Sequence, residues 1–259
     1  MRDFLLKLRV HGWLLFVGCI ALLLVVGIAV DQMLLPVGIA ITLITGLYYG
    51  LMCRRWQMPD KILIPLQPIV LSLTGSILLL FLEETYFKII LFFGLIILHL
   101  FFLFHLRYSR KMLEQDFQKG MLDSIRLIVF VNVFLASAAF YAPLFYFDIR
   151  YAYLYVVPYF AIVSCLFWSS AWIEGHGYPQ RLLASIVFLL VISEVTVAQI
   201  WLPSSYIVQA LITTTIFFLY YDWTIHKESE HVGREHDRFV ALILALFVLS
   251  FLLILSQWR

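Results

Sequence analysis

Charge is what this chain has least of. Asp, Glu, Lys and Arg make up 13% of its 259 residues, while 63% are hydrophobic; an ordinary soluble domain carries roughly 25% charged residues. No water-soluble fold of this size can hide that much apolar surface. Net charge is +2, so the total offers no basic surface for nucleic acid, and no nucleic-acid partner is expected. Cysteine is nearly missing as well: Cys19, Cys53 and Cys165 lie in or at the ends of apolar segments and make no disulfide framework. Also lacking is any polar stretch long enough to bury a core of its own.

What the chain does have is apolar runs of about 20 residues, the length that carries a helix across ~30 Å of hydrocarbon at 1.5 Å per residue. They fall near 12–30, 33–53, 62–82, 86–106, 126–146, 153–173, 182–202, 205–223 and 239–258. Each is continuously apolar, where a barrel strand would alternate over about ten residues, so helices are expected. The sequence therefore predicts an all-α integral membrane protein, a single domain built as a bundle of about nine transmembrane helices, with the lipid bilayer as its main solvent. Arg2, Lys7 and Arg9 ahead of an apolar stretch imitate a signal peptide, but Gly12 to Val30 is too long for a typical signal core and reads as an uncleaved first span.

The basic residues orient the bundle, because short loops rich in Arg and Lys stay cytoplasmic. Alternating sides along the nine runs places Lys88, Arg150 and Arg259 on one side and the other 15 of the 18 Lys and Arg residues on the opposite one. That predicts a cytoplasmic N-terminus and an outer C-terminus. The outer loops are minimal, as at Asp31-Gln32, Glu83-Glu84-Thr85 and Pro203-Ser204. The longer polar segments, 107–125 and 224–238, fall on the cytoplasmic side. In the first, Leu113, Phe117 and Met121 recur every four residues amid Arg110, Lys111 and Lys119. This pattern suits a helix lying on the anionic inner leaflet, or alternatively an extension of the fourth span.

An ionisable side chain at mid-membrane costs roughly 2.5 to 3.5 kcal/mol on insertion scales and is a functional hypothesis by default. Glu194 is the carboxylate that falls near the middle of a predicted span, and the tight connection Trp201 to Ser205 makes spans seven and eight an antiparallel hairpin. On span eight, Gln209, Thr213 and Tyr220 fall within about 40° of one another at 100° per residue. Glu194 with this polar stripe is the candidate ligand or ion pathway. The competing reading makes Glu194 a protonated carboxyl hydrogen-bonded across the hairpin, and the lack of a second intramembrane carboxylate to form a relay favours it. His99, inside span four, reads as a packing residue whose second ring nitrogen needs a partner.

No catalytic, cofactor-binding or metal set is expected. Asp222, His226 and Glu230 share a helical face, but His226, His231 and His236 are five apart and present different faces, so the segment reads as a solvated charged linker. Glu83-Glu84 with Lys88 and His105 is similar in outline to the intramembrane CAAX-type metalloproteases. However, the two elements lie at opposite ends of one membrane helix, about 30 Å apart, and cannot build one site. Two packing signals are clearer: Gly38, Thr42, Gly46 and Gly50 on span two, and Asn132, Ala136, Ala139 and Pro143 on span five, are small-residue faces that allow close helix contact.

Ser193-Glu194 with Trp201-Leu202-Pro203, then Tyr220-Tyr221 and a terminal Gln257-Trp258-Arg259, resembles an uncharacterised family of bacterial polytopic membrane proteins over the last third of the chain. The resemblance implies a bacterial cytoplasmic membrane and supplies no activity. Three functions fit these readings. The first is a membrane-embedded scaffold or assembly subunit, bound to a membrane protein partner or to further copies of itself. The second is a carrier or channel for a small solute or lipid at the Glu194 site. The third is a membrane enzyme on lipid-linked substrates near Glu174, His176, Asp222 and His226.

Overall fold

A computed structural model describes residues 16–23, 25–27, 29, 33–53, 60–108, 115–146, 152–173, 178–200 and 204–226. Among them there is no strand. The helices in chain order are α1 (Phe16–Gly27), α2 (Leu34–Met52), α3 (Asp60–Phe81), α4 (Thr85–Tyr108), α5 (Gln115–Tyr146), α6 (Ala152–Ile173), α7 (Tyr178–Ile200) and α8 (Tyr206–His226). These coincide closely with the first eight apolar runs; the ninth, 239–258, lies outside the described residues. Five stretches, Leu34–Met52, Ile62–Phe81, Thr85–Phe104, Leu127–Tyr146 and Leu182–Ile200, are long and apolar enough to cross a membrane, and α1, α6 and α8 contribute shorter apolar helices. The chain is an all-α, multi-pass membrane protein.

The pattern of exposure gives the physical reason. On α2, Leu34, Val37, Gly38, Ile41, Thr45 and Tyr49 form the buried stripe. The opposite face presents Leu35, Ile39, Leu43, Leu47 and Leu51, one every four residues, all exposed. A water-facing helix would be polar there; this one meets lipid. At the start of α8, Ser205 Oγ accepts from the Val208 N–H at 3.4 Å and its carbonyl accepts from the Gln209 N–H at 3.1 Å, the geometry of an N-cap serine.

Residues 115–125, expected as an interfacial helix or a continuation of the fourth span, form the first turns of α5. The remainder of that segment up to Glu114 is either the end of α4 or outside the described residues, as is 227–238.

The chain divides into two compact units, Met1–Asn132 and Val133–Arg259, with the boundary inside α5. In the first unit α2 and α3 pack most extensively, and Gly38 makes the closest approach: a Cβ there would lie 2.6 Å from Ser76 Cβ. Thr45, Ser72 and His99 then tie α2, α3 and α4 together. His99 Nδ1 sits 2.8 Å from the Leu95 carbonyl, which can only accept, so Nδ1 carries a proton. Ser72 Oγ reaches Nε2 at 2.9 Å and Thr45 Oγ1 reaches Ser72 Oγ at 3.0 Å. The second nitrogen of His99 thus finds its partner on the neighbouring helix. On α5, Asn132 Nδ2 donates to the carbonyl and to Oε1 of Gln67, at 3.1 and 2.7 Å. Phe16 stacks on Tyr48 with ring centroids 4.1 Å apart and lies edge-on to Tyr49.

In the second unit the core is aromatic. Phe167 of α6 stacks on Phe188 of α7 at 4.7 Å, Phe188 meets Phe217 of α8 edge-on at 5.2 Å, and all three are fully buried. Ala136, Ala139 and Pro143 are buried along α5, as their spacing predicts for a packing face.

Candidate functional site

The second unit carries a band of buried, uncharged polar side chains drawn from α5 to α8: Ser137 and Tyr141 on α5, Tyr159 on α6, Thr196 and Gln199 on α7, Gln209 and Thr213 on α8. Gln199 is its hub. Gln209 Nε2 donates to the Gln199 carbonyl at 2.9 Å, and Thr213 Oγ1 donates to Gln199 Oε1 at 2.9 Å. The Thr213 proton is then committed, so the Tyr141 hydroxyl, 3.2 Å away, donates to Thr213 Oγ1. Ser137 and Tyr159 form a second pair at 3.1 Å. On one face of α7, Gln199 Nε2 is buried with no hydrogen-bond partner among the described residues, and Thr196 Oγ1 lies beside the Tyr141 and Tyr159 hydroxyls.

Of the four residues singled out from sequence, Gln209 and Thr213 are brought together through Gln199. Tyr220 is not part of that band: its hydroxyl donates to the Ala184 carbonyl at 2.9 Å, clasping α8 to α7 farther along the hairpin. Glu194 stands apart from all three, on the exposed face of α7. It lies three residues, about 4.5 Å at 1.5 Å per residue, from the middle of the apolar stretch Leu182–Ile200. No described side chain hydrogen-bonds or pairs with it. Beside it is a shallow groove of about 370 Å³ lined by Phe160, Ile186, Leu189, Leu190 and Ser193.

Sequence reasoning missed Gln199, Tyr141 and Ser137 because it weighed uncharged polar faces on span eight alone and only charge on span seven. The available signal was spacing: Thr196 and Gln199 are i, i+3 on one face of α7, and Gln209 follows across a tight turn. Of the residues considered for an enzyme, Glu174 and His176 lie outside the described residues, and Asp222 and His226 fall on the last turns of α8.

The hydrogen bonds from Thr213 give a direct check on the band. Thr213→Val keeps shape but removes the link from Gln199 to Tyr141. It is expected to lower stability by about 0.6 to 1.7 kcal/mol, the range of interhelical hydrogen bonds in membranes, measured by reversible unfolding in mixed micelles. No loss would mean that the band does not fasten the helices.

No known protein family, curated protein or solved structure matches this chain.

Proposed function

We propose that the protein is a membrane-embedded assembly subunit whose α7 face seats a transmembrane helix of a partner. The observation that carries this reading is Glu194, an exposed carboxyl with no partner among the described residues, close to the middle of a membrane-length helix. Left against lipid, an ionisable group at that depth costs roughly 2.5 to 3.5 kcal/mol. A helix that brings a hydrogen-bond donor to it removes that cost and gains the packing of the groove beside it. The buried polar groups of the second unit's band, by contrast, are uncharged and largely spent on fastening the chain to itself. In this reading the chain crosses the membrane about nine times with its N-terminus in the cytoplasm, as the distribution of Lys and Arg favours. Its resemblance to bacterial polytopic proteins supports a cytoplasmic membrane.

The test is a photo-crosslinking side chain placed at Leu190 on the α7 face and, as control, at Leu47 on the lipid face of α2. In native membranes Leu190 is expected to yield a protein adduct of discrete mass, whereas Leu47 yields none; lipid adducts alone at Leu190 would defeat the reading. A companion expectation separates assembly from folding. Glu194→Leu leaves the purified chain unfolding at or above the wild-type midpoint, because no hydrogen bond or ion pair with a described residue is lost, and it strongly weakens the adduct. A large drop in stability would instead place Glu194 among the internal fasteners.

A second reading, a carrier for a small polar solute, is favoured by one observation: Gln199 Nε2 has no partner among the described residues inside the band of buried hydroxyls and amides. It requires water or solute to reach that band from one side of the membrane.

A further inference from the structure

Among the exposed residues of α7, which also include Leu182, Val187, Glu194 and Ala198, one subset is spaced at seven. Leu183, Leu190 and Val197 are spaced at seven and are 67%, 60% and 58% exposed. Ile186 and Ser193, three residues after the first two, are spaced at seven as well and line the groove. A seven-residue repeat with a second position three residues on is the seam along which two helices wrap each other with knobs in holes. Glu194 sits about 40° from Leu190 in projection at 100° per residue, on the edge of that seam.

From this pattern we infer that the occupant of the α7 face is the α7 of a second copy of this chain, so that the assembly is a homodimer; the inference rests on the assembly reading given above. Three features favour a second copy over an unrelated helix. Copies inserted by the same machinery share one orientation, so a two-fold axis along the membrane normal pairs α7 with α7 in parallel, each residue opposite its own depth. A repeat of sevens meets itself in register under that symmetry. Ser193 and Glu194 are neighbours in sequence and differ in depth by about 1.5 Å. The Ser193 hydroxyl of one copy therefore comes level with the Glu194 carboxyl of the other, and it can swing from its bond to the Leu190 carbonyl at 2.7 Å to donate across the pair. Each carboxyl then gains a donor that the described residues of its own chain do not supply, and the hollow beside Ser193 receives an apolar knob from the other copy.

The experiment uses the full chain with Cys19, Cys53 and Cys165 replaced by serine and one cysteine introduced, Leu190→Cys or Val197→Cys on the seam or Leu47→Cys on α2. Two differently tagged versions of each variant are co-expressed and oxidised in native membranes. The expected result is a disulfide-linked product carrying both tags for Leu190→Cys and Val197→Cys, at least tenfold above Leu47→Cys. Loss of that product with a photo-adduct to a different protein at Leu190 would overturn the homodimer and leave the assembly reading standing. Loss of both the disulfide and every protein adduct would overturn the two together.

Discussion

Truncating Phe167 to alanine is expected to cost about 3–5 kcal/mol of stability, the largest effect of any single change considered. Phe167 is fully buried, stacked on Phe188 at 4.7 Å and edge-on to Phe217 and Tyr221 at 6.2 and 6.0 Å. In a membrane the apolar effect does not drive helices together, because lipid tails are as apolar as the side chains; close packing does. Removing the ring therefore loses dispersion contacts that lipid cannot restore inside a cavity it cannot enter. Phe167→Leu fills part of the space and is expected to cost distinctly less. Reversible unfolding in mixed micelles measures both, and equal stability of Phe167→Ala and wild type would show that these rings do not form the core of the second unit.

The second large effect is in the other unit. A Cβ built on Gly38 falls 2.6 Å from Ser76 Cβ and 3.2 Å from Ser76 Oγ. Ser76 Cβ is fixed to its own backbone and cannot swing aside, so Gly38→Val forces α2 from α3 along their main contact, at an expected cost of about 1–3 kcal/mol. Two other glycines calibrate the claim. At Gly75 the added atom meets Leu95 Cδ2 at 2.6 Å, the far end of a side chain that can change rotamer, and at Gly50 nothing lies within 4 Å. Gly75→Ala should therefore cost less, and Gly50→Ala should be neutral or stabilising, since alanine favours a helix interior over glycine by about 1 kcal/mol. Ser76→Gly should recover much of the loss in the Gly38→Val background. Equal responses at Gly38 and Gly50 would contradict the geometry.

That contrast also marks how far sequence carries. Gly38, Thr42, Gly46 and Gly50 are equivalent by spacing, and nothing in the chain says that Gly38 makes the closest contact while Gly50 faces open space. Apolar run length located the helices well because backbone hydrogen bonding in lipid leaves one solution for a 20-residue apolar segment. Partners were another matter. His99 was legible as a buried ring wanting a second contact, but Ser72 is 27 residues away on another helix; Asn132 and Gln67 are 65 apart. Such pairs are set by helix adjacency, which periodicity within one helix does not encode. Glu194 was found by charge and Gln209 and Thr213 by their shared face, yet the hub that joins the latter two, Gln199, went unranked because shared polar faces were weighed on span eight and only charge on span seven. Facing direction was the other gap: at 100° per residue Glu194 could point to either side until neighbouring helices covered the opposite one.

The account turns on Glu194 standing at a dry protein interface rather than in a water-filled path. The most direct measurement is the reaction of single cysteines at Ser193, Val197 and Gln199, in a background without Cys19, Cys53 and Cys165, with a membrane-impermeant thiol reagent. The assembly reading predicts that all three stay unreactive in native membranes while a cysteine at Glu83, in the loop between α3 and α4, is labelled. Labelling at Ser193 or Val197 comparable to that at Glu83 would bring water to the middle of α7, contradict the interface, and make a transport pathway the function to pursue.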